Sequence, residues 1–297
     1  MLDIIPIWGL IMAVALLFLI LGSYFDLMTA EIPDVITVGL TFIILIISLV
    51  YSALVWDFSF FISSASIGIL YFILGYILFY LGEWGGGDVK LISGVGCSIG
   101  FLGAINYLKE SILPYYIDYL INMAIVSAPY LIIYALILGL MKPSVFNRFY
   151  KTMRNIVSIF VIIISFIPSI SALFLNLKSI ALIYLLIPAL VILSIYLKAV
   201  EKEALQKRIN VSELQVGDVL AEDLIVNGEK IFSSRNISGL ERKDIERIKT
   251  LSKEGKIPTE ITIKWGVKFS PIFLFAFLLS ISVGNALETI VMYLCSI

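Results

Sequence analysis

Long apolar runs separated by short polar breaks occupy most of the 297 residues. A helix crossing a hydrocarbon core of about 30 Å needs roughly 20 mostly apolar residues. Runs of that kind fall near 5–24, 35–55, 61–81, 91–108, 118–141, 156–175, 180–197 and 269–291, which predicts about eight transmembrane helices. The first run has no basic stretch ahead of it, so it reads as a retained span and not as a cleaved signal peptide. The fourth is short and holds Gly94, Gly96, Gly100 and Gly103. Small residues let helices approach closely, so this run is expected to pack against its neighbours and not to face lipid.

The pattern changes between 198 and 268. That stretch carries 14 of the 21 basic and 12 of the 22 acidic residues and no long apolar run. Val219 to Val226 has strand character, Asn227-Gly228 is a hairpin signal, and Lys230-Ile231-Phe232 reads as the returning strand. Ser238 to Glu241 resembles a capping box opening a helix, with Leu240, Ile245, Ile248 and Leu251 on one face. Gly255 ends that helix, and Glu260 to Lys264 forms a last strand. The expected organisation is therefore an all-α polytopic membrane protein with a small α+β domain inserted before its last helix. Its parts are a transmembrane core over 1–197, an aqueous domain over 198–268 and a C-terminal transmembrane helix over 269–297. The inserted domain shows no catalytic constellation and reads as a docking or stabilising module.

Composition supports this and narrows the chemistry. The chain is 60% hydrophobic and 14% charged, against about 25% charged in an ordinary soluble domain. A net charge of -1 gives no basic field for nucleic acid. There is no histidine, which excludes serine–histidine hydrolases and HExxH zinc enzymes. Cys97 and Cys295 lie far apart in apolar runs, so neither a cysteine metal knuckle nor a disulfide framework is expected. Carboxylates, lysines, hydroxyls and tyrosines remain, and no metal or cofactor is called for.

Lysine and arginine collect in cytoplasmic loops. Lys142, Arg148, Lys151 and Arg154 follow the fifth run; Lys198, Lys202, Lys207 and Arg208 follow the seventh. Both segments are therefore expected in the cytoplasm, and so are the loops near 25–34 and 82–90. Those two earlier loops carry Asp26, Glu31, Asp34, Glu83 and Asp88 against the single base Lys90, the reverse of the usual bias. Local rules fail most often at functional sites.

Asp26 stands at the end of the first run, in Tyr24-Phe-Asp-Leu-Met-Thr-Ala-Glu-Ile-Pro-Asp34. Asp88 follows Gly85, Gly86 and Gly87 between the third and fourth. Ionisable groups against a bilayer are expensive and face a cavity or a partner. The glycines permit tight backbone geometry and leave no side chains in the way of a peptide. Two carboxylates at one membrane depth can share a proton, one acting as general base on water and the other as general acid to a carbonyl. A lone aspartate there would more often be a helix cap. Asp34 is the competing acid for the role of Asp26.

Gly-Gly-Gly-Asp88-Val-Lys-Leu, together with Asp26 ahead of Ile32-Pro33-Asp34, resembles the archaeal branch of the prepilin peptidases. These are GxGD membrane aspartyl peptidases that process preflagellins and other type IV pilin-like precursors. The likeness covers the first four runs well; the Gly-Asp-Val-Leu-Ala-Glu-Asp stretch and the Gly266 to Pro271 lead-in to the last run also fit. It implies Asp26 and Asp88 as the catalytic pair, with Gly85, Gly86 and Gly87 shaping the second motif. It implies leader removal at the cytoplasmic face of the plasma membrane from pilin-like or flagellin-like precursors. Their basic leader would be drawn to an acid-rich mouth, which makes Glu31, Asp34 and Glu83, with Lys90 beside them, candidate substrate-binding residues. Members often carry a base before the Ile-Pro where this chain has Glu31, and the chain is long for the branch. It has no cysteine-rich loop of the kind bacterial relatives add, so cleavage without methylation is expected.

Three other readings stay open. A presenilin or signal-peptide-peptidase type protease shares the glycine–aspartate signature, and Pro188-Ala189-Leu190 matches a tripeptide those families use; Phe25, however, separates Tyr24 from Asp26. A proton- or cation-coupled transporter would use the same acids, though both fall near one membrane face. A non-catalytic scaffold would leave the glycine run and paired acids unexplained.

Overall fold

The computed structural model describes residues 6–226, 229–233, 239–264 and 266–295. Its helices are α1 (Ile7–Thr29), α2 (Asp34–Val55), α3 (Ser59–Tyr80), α4 (Gly86–Ala104), α5 (Tyr115–Met141), α6 (Pro143–Met153), α7 (Ile156–Ser165), α8 (Ile167–Phe174), α9 (Lys178–Tyr184) and α10 (Leu186–Glu203), followed by α11 (Arg242–Lys253), α12 (Ser270–Ser282) and α13 (Ala286–Cys295). Five short strands complete it: β1 (Gln206–Asn210), β2 (Val219–Leu220), β3 (Leu224–Val226), β4 (Glu229–Phe232) and β5 (Glu260–Lys264). The described residues form two compact units, one of 6–130 and 266–295 with Gly239, the other of 131–226, 229–233 and 240–264.

The expected eight spans resolve differently. Among the described residues, α1, α2, α3, α5, the α7–α8 stretch and the α9–α10 stretch are long and apolar enough to cross a membrane, six in all. A seventh is reached if α12 and α13, bent by 54° at a short break, form one span. Helix α4 is different in kind: every residue from Leu91 to Gly103 is buried, so it is walled in by protein and its apolar length is not exposed to solvent or lipid. Leu17, Ile20, Phe42, Ile46, Leu54 and Ile69 lie exposed on the surrounding helices, a surface suited to hydrocarbon. The chain is a multi-pass membrane protein.

Close approach explains how α4 is enclosed. A side chain at Gly96 would sit 2.7 Å from the Ile67 carbonyl, and one at Gly100 would sit 2.5 Å from the Ser63 carbonyl. Glycine at both places lets α3 and α4 pack backbone to backbone. Hydroxyls then tie the pair where helices in an apolar setting lack a hydrophobic driving force. Ser63 Oγ donates to the Gly100 carbonyl at 2.9 Å, Ser64 Oγ to that of Cys97 at 2.9 Å, and Ser93 Oγ to that of Gly68 at 3.1 Å. Around them Leu19, Leu40, Ile44, Tyr71, Leu91, Val95, Phe101, Tyr119, Phe273 and Phe277 form one core.

The predicted last span is broken, and a polar cluster explains why the break is tolerated. Gly284 takes φ 84°. Asn122 Nδ2 donates to its carbonyl at 2.6 Å, and Asn122 Oδ1 accepts from the Ala286 N–H at 3.0 Å. Asn285 Nδ2 reaches the buried Asp118 carboxylate at 2.6 Å. Backbone groups freed by the bend therefore find partners inside the protein, the condition for irregular chain at membrane depth.

In the second unit three expectations change. The stretch after α5, read as a charged loop, is the amphipathic helix α6: Val145 is buried while Arg148 pairs with Glu203 at 2.8 Å. Too short and polar to register as a span, it escaped the hydropathy pattern. Val219 to Val226 is not one strand. Ala221, Glu222 and Asp223, residues depleted in sheets, interrupt it; β2 pairs antiparallel with β5, whereas β3 pairs with β4. The Asn227-Gly228 turn lies outside the described residues, as does Ser238. Helix α11 opens later than expected, with Glu241 as its N-cap and Asp244 Oδ2 accepting from the Glu241 N–H at 3.0 Å. β5 is the central strand of the order β1-β5-β2. Ile248, Leu240, Ile245, Ile261 and Ile263 pack in the small core beneath it. Asp244→Ala should cost about 1 kcal/mol of local stability. Hydrogen exchange of the first-turn amides of α11 should then quicken about fivefold; unchanged exchange would mean the cap does not hold this helix.

Candidate active site

The aspartates are brought together by a segment far from both in sequence. Asp26 lies in the last turn of α1, on the face that also buries Ile11, Ala15, Leu19, Gly22 and Ser23. It is 7% exposed, and its Oδ2 accepts the backbone N–H of Ser270 at 3.0 Å. Asp88 is the third residue of α4. Its Oδ2 accepts the N–H of Gly85 at 3.0 Å, so it does cap its own helix. Its Oδ1 faces the Ser270 hydroxyl, which donates over a long 3.5 Å. One buried serine thus touches both carboxylates, one through its backbone and the other through its side chain.

The glycine run works by space and not by backbone freedom. Gly85, at φ -81° and ψ 160°, holds an extended conformation open to any residue, and the positive-φ glycine nearby is Gly82. A side-chain atom at Gly85 would stand 3.4 Å from Asp88 Oδ2, and one at Gly87 would touch Ile32. The run therefore keeps the approach to Asp88 clear.

Lys268 completes the charge set. It is 6% exposed, its carbonyl accepts from the Tyr130 hydroxyl at 2.7 Å, and it interacts electrostatically with both aspartates. Asp88 stands ahead of the apolar part of α4, outside the helices able to cross the membrane. Burial pushes its carboxyl up, to about 7, and the Asp26 charge pushes it the same way; the Gly85 N–H, the Ser270 hydroxyl and Lys268 pull it down. Burial lowers the Lys268 ammonium, while Asp26 and Asp88 hold it up. Trp84, Phe269 and Phe273 pack against one another in tilted and edge-to-face pairs, with ring centroids 5.2–5.6 Å apart.

The other candidates make none of the hydrogen bonds described above. Asp34, which competed for the role of Asp26, is exposed and ion-paired with Lys90 at 2.6 Å. Glu31 and Glu83 are exposed. Pro188 is the third residue of α10, in its first turn, just after the break that separates α10 from α9. Lys268 and Ser270 had no assigned role in the sequence; the signal available was a lysine directly ahead of a long apolar run.

Residues 13–144, which carry both aspartates, match the type IV leader peptidase family. Over 92% of its length the chain is similar, at 23% identity, to a prepilin peptidase of Methanothermobacter thermautotrophicus, covering 94% of that protein. A stretch of 87 residues is 39% identical to a preflagellin peptidase of Methanococcus voltae, 29% of this chain and 37% of that one. No solved structure matches. The family match and these relatives agree with the resemblance read from the motifs and support a peptidase.

Proposed function

We propose that this protein is a membrane aspartyl endopeptidase that removes the short basic leader of type IV pilin-like or flagellin-like precursors. The observation that carries the reading is the single serine touching both carboxylates, in a segment of leader-peptidase type. Asp88, whose carboxyl is pushed up to about 7, holds the shared proton and donates it to the scissile carbonyl or leaving amine. Asp26 takes the proton of the attacking water. The glycine run admits the peptide, and the half-buried Trp84 and Phe269 offer an apolar wall for the residues after the cleavage point.

Under this reading the aspartates face the cytoplasm, where the leader of such precursors lies. Residues 1–197 and 269–297 carry the spans, and 198–268 is an aqueous domain. Asp34 and Lys90 neutralise each other, so Glu31 and Glu83 are the acids left to attract a basic leader. No methyl transfer to the new N-terminus is expected.

The test uses purified protein in detergent with a precursor retaining its leader and hydrophobic helix, and reads the product N-terminus by mass spectrometry. Cleavage at the leader boundary is expected, with an unmethylated product. Asp34→Asn should keep cleaving, because an exposed ion pair contributes well under about 1 kcal/mol. Loss of cleavage in Asp34→Asn would move the base to that residue, and no cleavage of several precursors by folded protein would overturn the peptidase reading.

A further inference from the structure

Three groups on Lys268 and Ser270 are fastened to three different helices. The Lys268 carbonyl is held by Tyr130 of α5, the Ser270 N–H by Asp26 of α1, and the Ser270 hydroxyl reaches Asp88 of α4. Aromatic packing of Phe269 and Phe273 on Trp84 adds a fourth attachment, to the chain leading into α4. No other described segment contacts both aspartates through hydrogen bonds. The lysine is as buried as a core residue, at 6% exposure. A buried ammonium is costly unless paired, so its placement beside two acids demands an account.

Charge counting supplies one. The charged and titratable groups facing Lys268 include Asp26 from α1 and Asp88 from α4, with the Tyr130 hydroxyl from α5 on its carbonyl; α12 contributes no charge. Lys90 of α4 is engaged with Asp34 of α2, and Glu83 is exposed. With Lys268 protonated and one proton shared by the aspartates, these three groups sum to zero charge. A cation beside two carboxylates opposes protonation of both, which leaves one of them to act as base.

We propose that Lys268 and Ser270 are positioning residues for the dyad, Ser270 fixing where the two carboxylates sit and Lys268 supplying a positive charge beside them. The proposal rests on the aspartyl-peptidase reading above. Neither residue touches the scissile bond; both act through Asp26 and Asp88.

The experiment is a set of pH–rate profiles for precursor cleavage by the full-length protein in lipid nanodiscs, comparing wild type with Lys268→Met, Lys268→Arg and Ser270→Ala. Removing the cation favours the protonated pair, so in Lys268→Met the acid limb should move to higher pH, by about one unit. Lys268→Arg should return the limb towards its wild-type position. Ser270→Ala keeps the backbone N–H but removes the hydroxyl that pulls Asp88 down, so it should lower kcat about tenfold with little change in KM and a shift of the limb in the same direction. If Lys268→Met does not fold, Lys268→Gln, which retains polarity, carries the same expectation. An acid limb unmoved in a folded, active neutral variant would overturn the proposal and leave the peptidase reading intact. A wild-type protein that cleaves no precursor would overturn that reading, and this proposal with it.

Discussion

Asp26→Asn and Asp88→Asn should each lower kcat for leader cleavage by about a thousandfold or more while leaving the protein folded. Acid–base catalysis by a positioned carboxyl contributes between about a hundredfold and ten-thousandfold, and in a dyad each member needs the other. Asparagine retains the oxygen that accepts the Ser270 N–H at 3.0 Å, so the 7% exposed site in α1 keeps its packing and its bond. At position 88 the same replacement keeps an acceptor for the Gly85 N–H and preserves the start of α4. What is lost is the proton traffic. The double variant should be no slower than either single one, because residues acting as a unit are not additive. Thermal unfolding measured beside cleavage separates chemistry from folding. Residual activity above about one part in a hundred in Asp88→Asn would sink the dyad mechanism.

Gly100→Val should dismantle the support on which Asp88 stands. A side chain at position 100 begins 2.5 Å from the Ser63 carbonyl oxygen and 3.0 Å from Ser63 C and Ser64 Cα, all backbone atoms of α3 that cannot swing aside. The two helices would have to separate, breaking the Ser63–Gly100 and Ser64–Cys97 hydrogen bonds at their contact. Overpacking a core costs roughly 1–3 kcal/mol, and backbone against backbone belongs at the top of that range. A fall in Tm of about 10 °C is expected, with cleavage lost through α4 and not through chemistry. Gly86→Ala is the stability control, since a side chain there meets only Phe79 at 4.0 Å. A Tm for Gly100→Val within about 2 °C of wild type would show that α3 and α4 can part freely, against the close packing described above.

How much of this was legible in the residues depended on whether the signal was local. Helices α1, α2, α3 and α5 follow from apolar length alone, because a backbone in hydrocarbon must satisfy itself within its own helix. Asp26 and Asp88 stood out as acids at the ends of apolar runs, and the glycines of the fourth run announced a helix packed on protein. Elements whose pattern depends on a partner were misread. β1, with Ile209 as its only aliphatic residue, becomes a strand by pairing with β5. Helix α6 was hidden by its charge, and Val219–Val226 divided between two sheets because its halves found different partners.

By itself, then, the sequence made the long apolar helices, the resemblance to a peptidase family and the two candidate carboxylates legible, since each is written in a short window. Only the tertiary structure decided what stands against those carboxylates. Ser270 lies 244 residues from Asp26 and 182 from Asp88 along the chain. No periodicity or spacing records such a meeting. It follows from α12 packing on α1 and α4, where burial makes each polar group find a partner.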